Sequence, residues 1–423
     1  MTPARLALVD RLVTAGILHP DPPVGSGPLR SADVTLVIPV RDRPDGVATL
    51  LASLRRAATY PARVIVVDDG SRSPGPLEQV VDVADPRPDL VRRGTPGGPA
   101  AARNAGLDLV DTPLVAFLDS DCIVGDGWLD RLLPLFGDRD VVLAAPRVRS
   151  RSAGTVPGLA VLENYEAVAS PLDLGRHRSP VAPGGPVSYV PSAALVGRTA
   201  SLVALGGFDP ALSVGEDVDL VWRAVAAGGR VRYEPAAEVF HEPRPNLGGW
   251  LAQRYGYGRS AAALDRRHPG RVAPVVLSPW SAAVWVLAVA GAPLPAVGLA
   301  ATTAVRLARR LPGLPAREVA RLALGGHLGA GRQLARAATR TGWPLALVAA
   351  TSGRRARRWV LAAYLVSVGS AWRNAADRGP IRNDPLRFAA LTLLDDAAYG
   401  AGVWAGCAQQ RSFRALLPAL STG

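Results

Sequence analysis

The stretch PLVAFLDSD, residues 113–121, decides the fold of this 423-residue chain. Its apolar run ends at Asp119 and Asp121, which is the pattern of a buried strand that opens into a polar cleft. The earlier stretch RVIVVDD, residues 63–69, repeats the pattern. Because ligands of open α/β sheets collect at the carboxyl ends of the strands, we expect both acidic pairs to face one cleft.

Short apolar runs alternate with helical segments on both sides of this stretch. Strands are predicted at residues 35–40, 63–67, 113–118, 140–148 and 187–196, and two closing strands at VRYEP and AEVFHE. Helices are predicted at residues 46–57 and from Glu216 onward. The alternation predicts an α/β fold, with a Rossmann-like, mostly parallel sheet and crossover helices.

Three parts are predicted along the chain: an N-terminal amphipathic extension (1–31), a sheet domain (32–267) and a mostly helical, apolar, arginine-rich module (268–423). Residues 272–305 contain no charged residue, but prolines interrupt them. An interfacial or re-entrant helix and an ordinary helical bundle therefore both stay open.

The basic charge of the chain is regional. The net charge is +13 with no lysine, and residues 306–358 hold twelve arginines against one acid, Glu318. Aromatic residues make up only 5% of the chain, whereas single-stranded nucleic acids are bound on aromatic platforms. The pattern favours an anionic membrane surface as partner and no nucleic acid.

Cysteine content and the N-terminus indicate the compartment. Two distant cysteines, Cys122 and Cys407, do not suggest a disulfide framework. Asp10 and Arg11 interrupt the first apolar run, unlike the core of a signal peptide. We expect a cytoplasmic protein, peripheral to or inserted at the cytoplasmic membrane face.

The first acidic motif predicts a metal site. Asp119, Ser120 and Asp121 form a D-x-D whose carboxylates suit Mg²⁺ or Mn²⁺ bridged to a diphosphate. His241, in VFHEP, is a candidate third ligand, although a single histidine is more often structural.

Further polar residues complete the predicted cleft. Asp68 and Asp69 suit a nucleoside, or alternatively cap the following turn. Arg103 lies in a glycine-containing helix entry that suits phosphate or nucleotide. Glu216 and Asp217 begin a helix, where one of them can act as a general base or simply favour the helix dipole.

An acceptor side is predicted next to this cleft. Two glycine-containing stretches, GGPVSY and GGFD, precede the helix at Glu216. Turn chemistry accounts for them equally well. The candidate acceptor residues are Gly185, Tyr189, Gly207, Phe208 and Asp209.

Taken in order, VIPVRDRP, VVDDGS, GGPAAARNAGL, AFLDSD, GGFDPALSVGEDVDLVWR and VFHE resemble the family 2 glycosyltransferases. The resemblance implies a GT-A fold and an inverting, metal-dependent hexosyltransferase that uses a nucleotide sugar, commonly a UDP-sugar. It implies that Asp217 is the base, with Glu216 beside it. By the same resemblance Asp119 and Asp121 hold metal and diphosphate, while Asp68, Asp69 and Arg103 hold the nucleoside. The full candidate donor set is Pro39, Arg41, Asp68, Asp69, Arg103, Asp119 and Ser120, and the candidate metal ligands are Asp119, Asp121 and His241.

A narrower resemblance spans nearly the whole chain. AGILHP, GPVSYVPSAALVGRTASL, QRYGYGRSAA and DDAAYGAGVWAGC are similar to glycosyltransferases of mycofactocin biosynthesis. That likeness implies transfer of glucose from UDP-glucose to a premycofactocin-like, peptide-derived redox cofactor. QRYGYGRS replaces the Q-x-x-R-W of processive synthases, which argues against long-chain synthesis and is compatible with a short oligosaccharide.

Three alternatives remain open from sequence. A family 2 transferase can act instead on a cell-envelope lipid or polysaccharide. A nucleotidyltransferase requires a glycine-rich, basic segment after the first strand, where this chain offers only Arg41 and Arg43. A catalytically silent binding protein would retain the acidic residues without turnover.

Overall fold

The computed structural model describes residues 8–9, 11–13, 16–57, 59–151 and 160–420. Within this range the chain forms two compact units, Met1–Asn246 with Ala375–Asn383, and Leu247–Asn374 with Asp384–Gly423. The predicted domain boundaries at residues 31 and 267 stay a prediction. In the predicted amphipathic extension, residues 8, 9 and 11–13 are helical and residues 16–18 are not, while residues 1–7, 10, 14 and 15 lie outside the described part of the chain.

The first unit contains a mixed sheet with helices packed on it. Its strands are β1 (Val34–Val40), β2 (Arg63–Asp68), β3 (Asp89–Arg92), β4 (Leu114–Leu118), β5 (Cys122–Val124), β6 (Val141–Ser150), β7 (Ser179–Pro180), β8 (Ala194–Arg198) and β9 (Arg230–His241). Its helices are α1 (Pro44–Arg56), α2 (Gly75–Asp82), α3 (Gly98–Leu107), α4 (Trp128–Leu132), α5 (Ala160–Ala169), α6 (Thr199–Ala204) and α7 (Glu216–Ala226).

The strand order is β3-β2-β1-β4-β8-β6-β9-β5, with β7 on β9. β1 to β4 run parallel, whereas β8 is antiparallel to both β4 and β6. The α/β fold is thus confirmed, and the sheet is mixed, as in the GT-A fold that the resemblance implies, rather than mostly parallel. The carboxyl ends of β2 and β4 flank β1 at one edge, which brings the segments after Asp68 and Leu118 to the same side.

Two strand predictions were wrong in their bounds. The strand expected at residues 187–196 is Ala194–Arg198, because Pro191 lacks the N–H that a ladder needs. The two strands expected at VRYEP and AEVFHE form one strand, β9. Its register with β6 shifts between Pro146 and Arg147, so that residues 235–237, which include a proline, are left out of the pairing.

Burial explains why the central strands form. All seven residues of β1 and all five of β4 are buried, as expected for strands covered on both faces. Burying each Leu or Ile contributes about 2 kcal/mol. Gly106 lets α3 approach β1 closely, since a Cβ there would overlap Val37. The position of α3 over the sheet is therefore fixed by packing.

The second unit is helical, which confirms the predicted helical C-terminal region. It comprises α8 (Leu247–Arg267), α9 (Pro279–Ala290), α10 (Pro293–Arg310), α11 (Ala316–Arg340), α12 (Trp343–Thr351), most of α13 (Arg354–Arg378) and α14 (Pro385–Gln410), with short strands β10 (Val276–Leu277) and β11 (Ala419–Leu420). Over the described part of the chain, no helix combines the length and apolarity that a bilayer crossing requires.

Candidate active site

A buried arginine joins two of the predicted acidic motifs. Arg103, on α3, donates from Nη2 to Asp119 at 2.6 Å and from Nη1 to Glu216 at 2.9 Å. Its guanidinium lies 5.3 Å from the ring centroid of Phe208. Asp119 of the D-x-D, which follows β4, and Glu216 at the start of α7 thus pair with the same guanidinium group.

Electrostatics at this cluster follow from burial and proximity. Burial disfavours the charged guanidinium of Arg103, yet Asp119 and Glu216 outweigh it and raise its pKa. Burial, followed by repulsion from Asp217, raises the pKa of Glu216 to about 7. Burial likewise raises the pKa of Asp217. The helix start therefore holds two carboxyl groups whose pKa values are raised by burial, as suits groups that exchange a proton.

Backbone hydrogen bonds fix the Asp217 carboxylate. The N–H of Val218 donates to Oδ1 at 2.8 Å, and the N–H of Ser192 donates to Oδ2 at 3.2 Å. Ser192 belongs to the segment between Gly185 and β8, which contains the predicted acceptor residue Tyr189. The structure thus brings the predicted base next to that segment.

The other half of the D-x-D pairs with a histidine. His241 Nε2 lies 3.2 Å from Asp121 Oδ1, and Arg43 donates to Asp121 Oδ2 at 2.9 Å and to Glu242 at 2.9 Å. Burial opposes ionisation of both partners, but their hydrogen bond and mutual charge lower the pKa of Asp121 and raise that of His241. Pairing of Cys122 with His241 in β5 and β9 sets this contact.

The predicted metal ligands are only partly gathered. Among the described residues, no three His, Cys, Asp or Glu side chains converge into a ligand set. Asp121 and His241 do meet, and Asp119 reaches Arg103 instead. A carboxylate and an imidazole that share a proton suit a divalent cation, which would displace that proton. Two protein ligands fit a site that diphosphate oxygens complete.

The second acidic pair lies at the start of α3. Asp69 accepts the N–H groups of Gly97 (3.0 Å) and Gly98 (2.7 Å) and pairs with Arg93. Asp68 accepts the N–H of Ser71 at 2.8 Å. Asp68 thus caps the turn that follows it, which fits the capping alternative, whereas Asp69 caps the helix that carries Arg103. Binding of a nucleoside at this pair stays a prediction.

The remaining predicted donor residues lie around the end of β1. Pro39 is buried in β1, and its register partner is Val67 of β2. The Arg41 side chain is 47% exposed, 3.8 Å from Asp42. Ser120 is buried between the two carboxylates of the D-x-D. Contact of Pro39, Arg41 and Ser120 with a donor stays a prediction.

The predicted acceptor residues divide into two groups. Phe208 packs edge-on against Phe117 at 5.2 Å, and its backbone N–H and C=O both bond Asn104. Gly207 precedes it, and Asp209 Oδ1 accepts the N–H of Ala211. This loop, residues 207–211, is called the 208 loop below. Asn104 ties it to α3, beside Arg103. Gly185 lies in a separate turn, where its N–H donates to the C=O of Ala182.

Three residues of the site were missed from sequence. Asn104 anchors the 208 loop, Arg43 bonds Asp121, and Ser192 holds Asp217. Asn104 follows Arg103 directly in the ARN motif, which is a usable signal. The role of Ser192 had no side-chain signal because the contact uses its backbone N–H.

The sequence and the fold were compared with known proteins. Residues 35–175 match glycosyl transferase family 2, and residues 114–312 match glycosyl transferase family group 2. A pre-mycofactocin glycosyltransferase of Mycobacterium tuberculosis is 43% identical over 419 residues, covering 97% of this chain and 86% of the relative. The succinoglycan biosynthesis protein ExoU of Rhizobium meliloti is 28% identical, covering 47% and 59%.

Among solved structures, the mannosyltransferase PcManGT of Pyrobaculum calidifontis, in complex with GDP-Man and Mn²⁺, is 16% identical. It aligns with a TM-score of 0.45 over 87% of this chain and 94% of that one.

Proposed function

The chain belongs to glycosyl transferase family 2, and we propose that this glycosyltransferase moves glucose from UDP-glucose, with inversion, onto a premycofactocin-like, peptide-derived acceptor. The 43% identity to the pre-mycofactocin glycosyltransferase over 97% of the chain supports the acceptor class. Support for the chemistry comes from one observation, the Arg103 bridge that holds Asp119 of the D-x-D beside Glu216.

In the proposed reaction, Asp217 removes the proton from the acceptor hydroxyl as its oxygen attacks the anomeric carbon. The C–O bond to the diphosphate breaks, and UDP leaves with the bonding electron pair. Single displacement inverts the anomeric centre. The backbone N–H groups of Ser192 and Val218 donate to the Asp217 carboxylate and orient it for this step.

The donor is held by the remaining residues. We assign the nucleoside to Asp68 and Asp69, with Pro39 and Arg41 beside them. We assign Arg103 and Ser120 to the diphosphate end of the donor. The pairing of Arg103 with Asp119 and Glu216, whose charges it neutralises, supports this assignment. Asp121 and His241, with Asp119, would hold a Mg²⁺ or Mn²⁺ ion. Such an ion, when bound, neutralises charge on the departing diphosphate.

The acceptor is assigned to the loops next to Asp217. The 208 loop is fixed on α3 by Asn104, and the segment with Tyr189 reaches Asp217 through Ser192. We propose that Gly185, Tyr189, Gly207, Phe208 and Asp209 shape this side. Addition of a few glucose units is proposed, together with a cytoplasmic location and peripheral contact with an anionic membrane surface.

The test is release of UDP from UDP-glucose by the purified chain with Mn²⁺ and acceptor. Asp217→Asn keeps the side-chain shape and is expected to lower kcat at least 1,000-fold, since the base is lost. Asp111→Asn, at an exposed position, is the matched control and is expected to leave kcat unchanged.

Other outcomes would redirect the assignment. Undiminished turnover in Asp217→Asn removes the base assignment. Release of UDP with a cell-envelope lipid or polysaccharide, and none with the peptide-derived acceptor, replaces the acceptor class. Release of pyrophosphate from UTP instead indicates a nucleotidyltransferase.

A further inference from the structure

Exposed apolar side chains concentrate on the second unit. Of the 32 large apolar side chains that are exposed among the described residues, 24 lie between Leu247 and Leu420. Scattered single exposures are normal on soluble proteins, whereas a concentration of them marks a contact surface. The second unit therefore carries a surface that another molecule is expected to cover.

Helix α12 contributes an almost fully apolar segment to this surface. Only Ala346 of its nine residues is buried, while Leu345, Leu347 and Val348 are 63%, 53% and 69% exposed. At 1.5 Å per residue the helix is about 14 Å long, less than half of a bilayer core. It is suited to lie on an apolar boundary.

Arginines follow directly after this helix. α13 begins after Ser352 and Gly353 with RRARR, and all four arginines of residues 354–358 are exposed. Arg355 Nη2 donates to the backbone C=O of Val289 at 2.6 Å, and its guanidinium lies against Gly291. This bond places the start of α13 at the turn between α9 and α10.

The same turn exposes further apolar side chains. Val286 (67%) and Val289 lie at the end of α9, and Leu294 (83%) and Val297 lie at the start of α10. We call residues 286–297 and 343–358 together the basic apolar tip. It combines exposed aliphatic side chains with four guanidinium groups within one neighbourhood of the second unit.

The tip has no acidic counterpart in the described part of the chain. Glu318 is the single acid between residues 279 and 358, and it pairs with Arg317 and Arg321. No ion pair of the described residues uses Arg354, Arg355, Arg357 or Arg358, so their charges are available. Two tips of this kind would repel each other, which argues against a second copy as occupant.

We propose that the basic apolar tip docks on the surface of an anionic lipid bilayer. The aliphatic side chains enter the boundary between headgroups and acyl chains, and the guanidinium groups bond lipid phosphates. We thereby assign residues to the peripheral membrane contact of the proposed function. Only the purpose of that contact rests on the proposed function. The contact itself needs neither donor nor acceptor.

The test is co-sedimentation of the full chain with phosphatidylcholine vesicles that contain either no or 30% phosphatidylglycerol. Anionic vesicles are expected to bind the chain at least tenfold more tightly. Removing an arginine weakens such binding about fivefold, so the pair Arg357→Gln and Arg358→Gln is expected to weaken it about 25-fold. Arg131→Gln with Arg139→Gln, on exposed positions of the first unit, is the charge-matched control and should change little.

The apolar contribution is tested in 0.5 M salt, where charge attraction is screened. Leu347→Ser with Val348→Ser is expected to abolish the residual binding, whereas Val83→Ser with Val203→Ser, exposed on the first unit, retains it. Circular dichroism confirms that the variants fold.

Equal binding to neutral and anionic vesicles, or equal weakening by the control pairs, overturns the proposal. A dimer that Leu347→Ser with Val348→Ser converts to monomer also overturns it and assigns the tip to a second copy. Vesicle binding is measured without UDP-glucose, so its failure is separate from a failure of the transferase assignment.

Discussion

The Arg103 side chain links two acidic motifs of the candidate site. It is 2% exposed and holds one carboxylate of β4's end and one of α7's start. Its Nε finds no partner among the described residues. Because Arg presents a planar fork of donors and Lys a single point charge, the two are not equivalent here.

We predict that Arg103→Lys lowers kcat/KM for UDP-glucose at least tenfold while the protein stays folded. Arg103→Met leaves buried carboxylates without a counter-charge and is expected to cost about 3–5 kcal/mol of unfolding free energy. Steady-state kinetics and urea unfolding check both. Arg63→Lys, at an exposed pair with Asp89, serves as control and should shift stability by less than about 1 kcal/mol. A fully active Arg103→Met would refute the bridge.

A pH profile tests the state of the base. The proposed reaction needs Asp217 deprotonated. Burial raises the pKa of Asp217, and burial together with the charge of Asp217 raises the pKa of Glu216 to about 7. The rate is therefore full above the raised pKa and falls about tenfold per pH unit below it. We expect the acidic limb of kcat/KM above the ordinary carboxyl range near pH 4. A limb at or below pH 4 contradicts the assignment.

The site residues that could be predicted from sequence are those that act through their side chains. Asp119, Asp217 and His241 stand in motifs, and the structure does bring Asp119 to Glu216 and Asp121 to His241. It could not reach Ser192, whose contribution is a backbone N–H set by tertiary packing. Nor does a motif predict the ion pair between Arg43 and Asp121, because these residues lie 78 positions apart in the sequence.

At the scale of elements, the sheet was predictable and its irregular parts were not. β1, β2 and β4 are mostly apolar, and all of their residues except Arg63 are buried, so the sequence pattern and the burial agree. β8 and β9 differ from prediction near Pro191 and Pro235, where a missing N–H shifts the pairing. A local pattern cannot show whether the chain ends or bulges at such a proline.

Close contact between α8 and α14 depends on glycine. A Cβ at Gly402 would overlap the backbone C=O of Tyr255, which cannot move away without shifting the helix. We predict that Gly402→Ala destabilises the protein by about 1–3 kcal/mol, measured by urea unfolding.

Gly256→Ala is the matched control on α8. A Cβ there meets no described heavy atom within 4 Å, so this change is expected to stabilise by up to about 1 kcal/mol through helix propensity. Equal effects of the two substitutions would show that the helices do not pack as described.

At the scale of the whole molecule, charge and chemistry are divided between the two units. The acidic cluster, with Asp121 and Glu216, belongs to the first unit, and the arginine-rich region 306–358 belongs to the second. Composition alone gave only the net charge of +13. Its distribution along the sequence indicated a basic surface, but the exposure of α12 beside the arginines required the structure.

Donor binding should be visible in the stability of the protein. A ligand at 100 times its Kd stabilises the folded state by about 2.7 kcal/mol. We predict this gain for UDP with Mn²⁺, and a much smaller one after EDTA or in Asp121→Asn, measured by denaturant unfolding. An equal gain with and without metal would contradict the proposed role of Asp121 and His241. Asp111→Asn, as control, should retain the full gain.

The cap of α3 by Asp69 has a consequence for how this chain tolerates insertions and deletions. From Gly98 to Arg103 the chain is helical, so one added residue would turn the guanidinium by about 100° and advance it by about 1.5 Å. Length changes before Gly97 leave that spacing intact, whereas those between Gly98 and Arg103 do not. Under the proposed donor assignment, this interval sets the spacing between the nucleoside end of the site at Asp69 and the diphosphate end at Arg103.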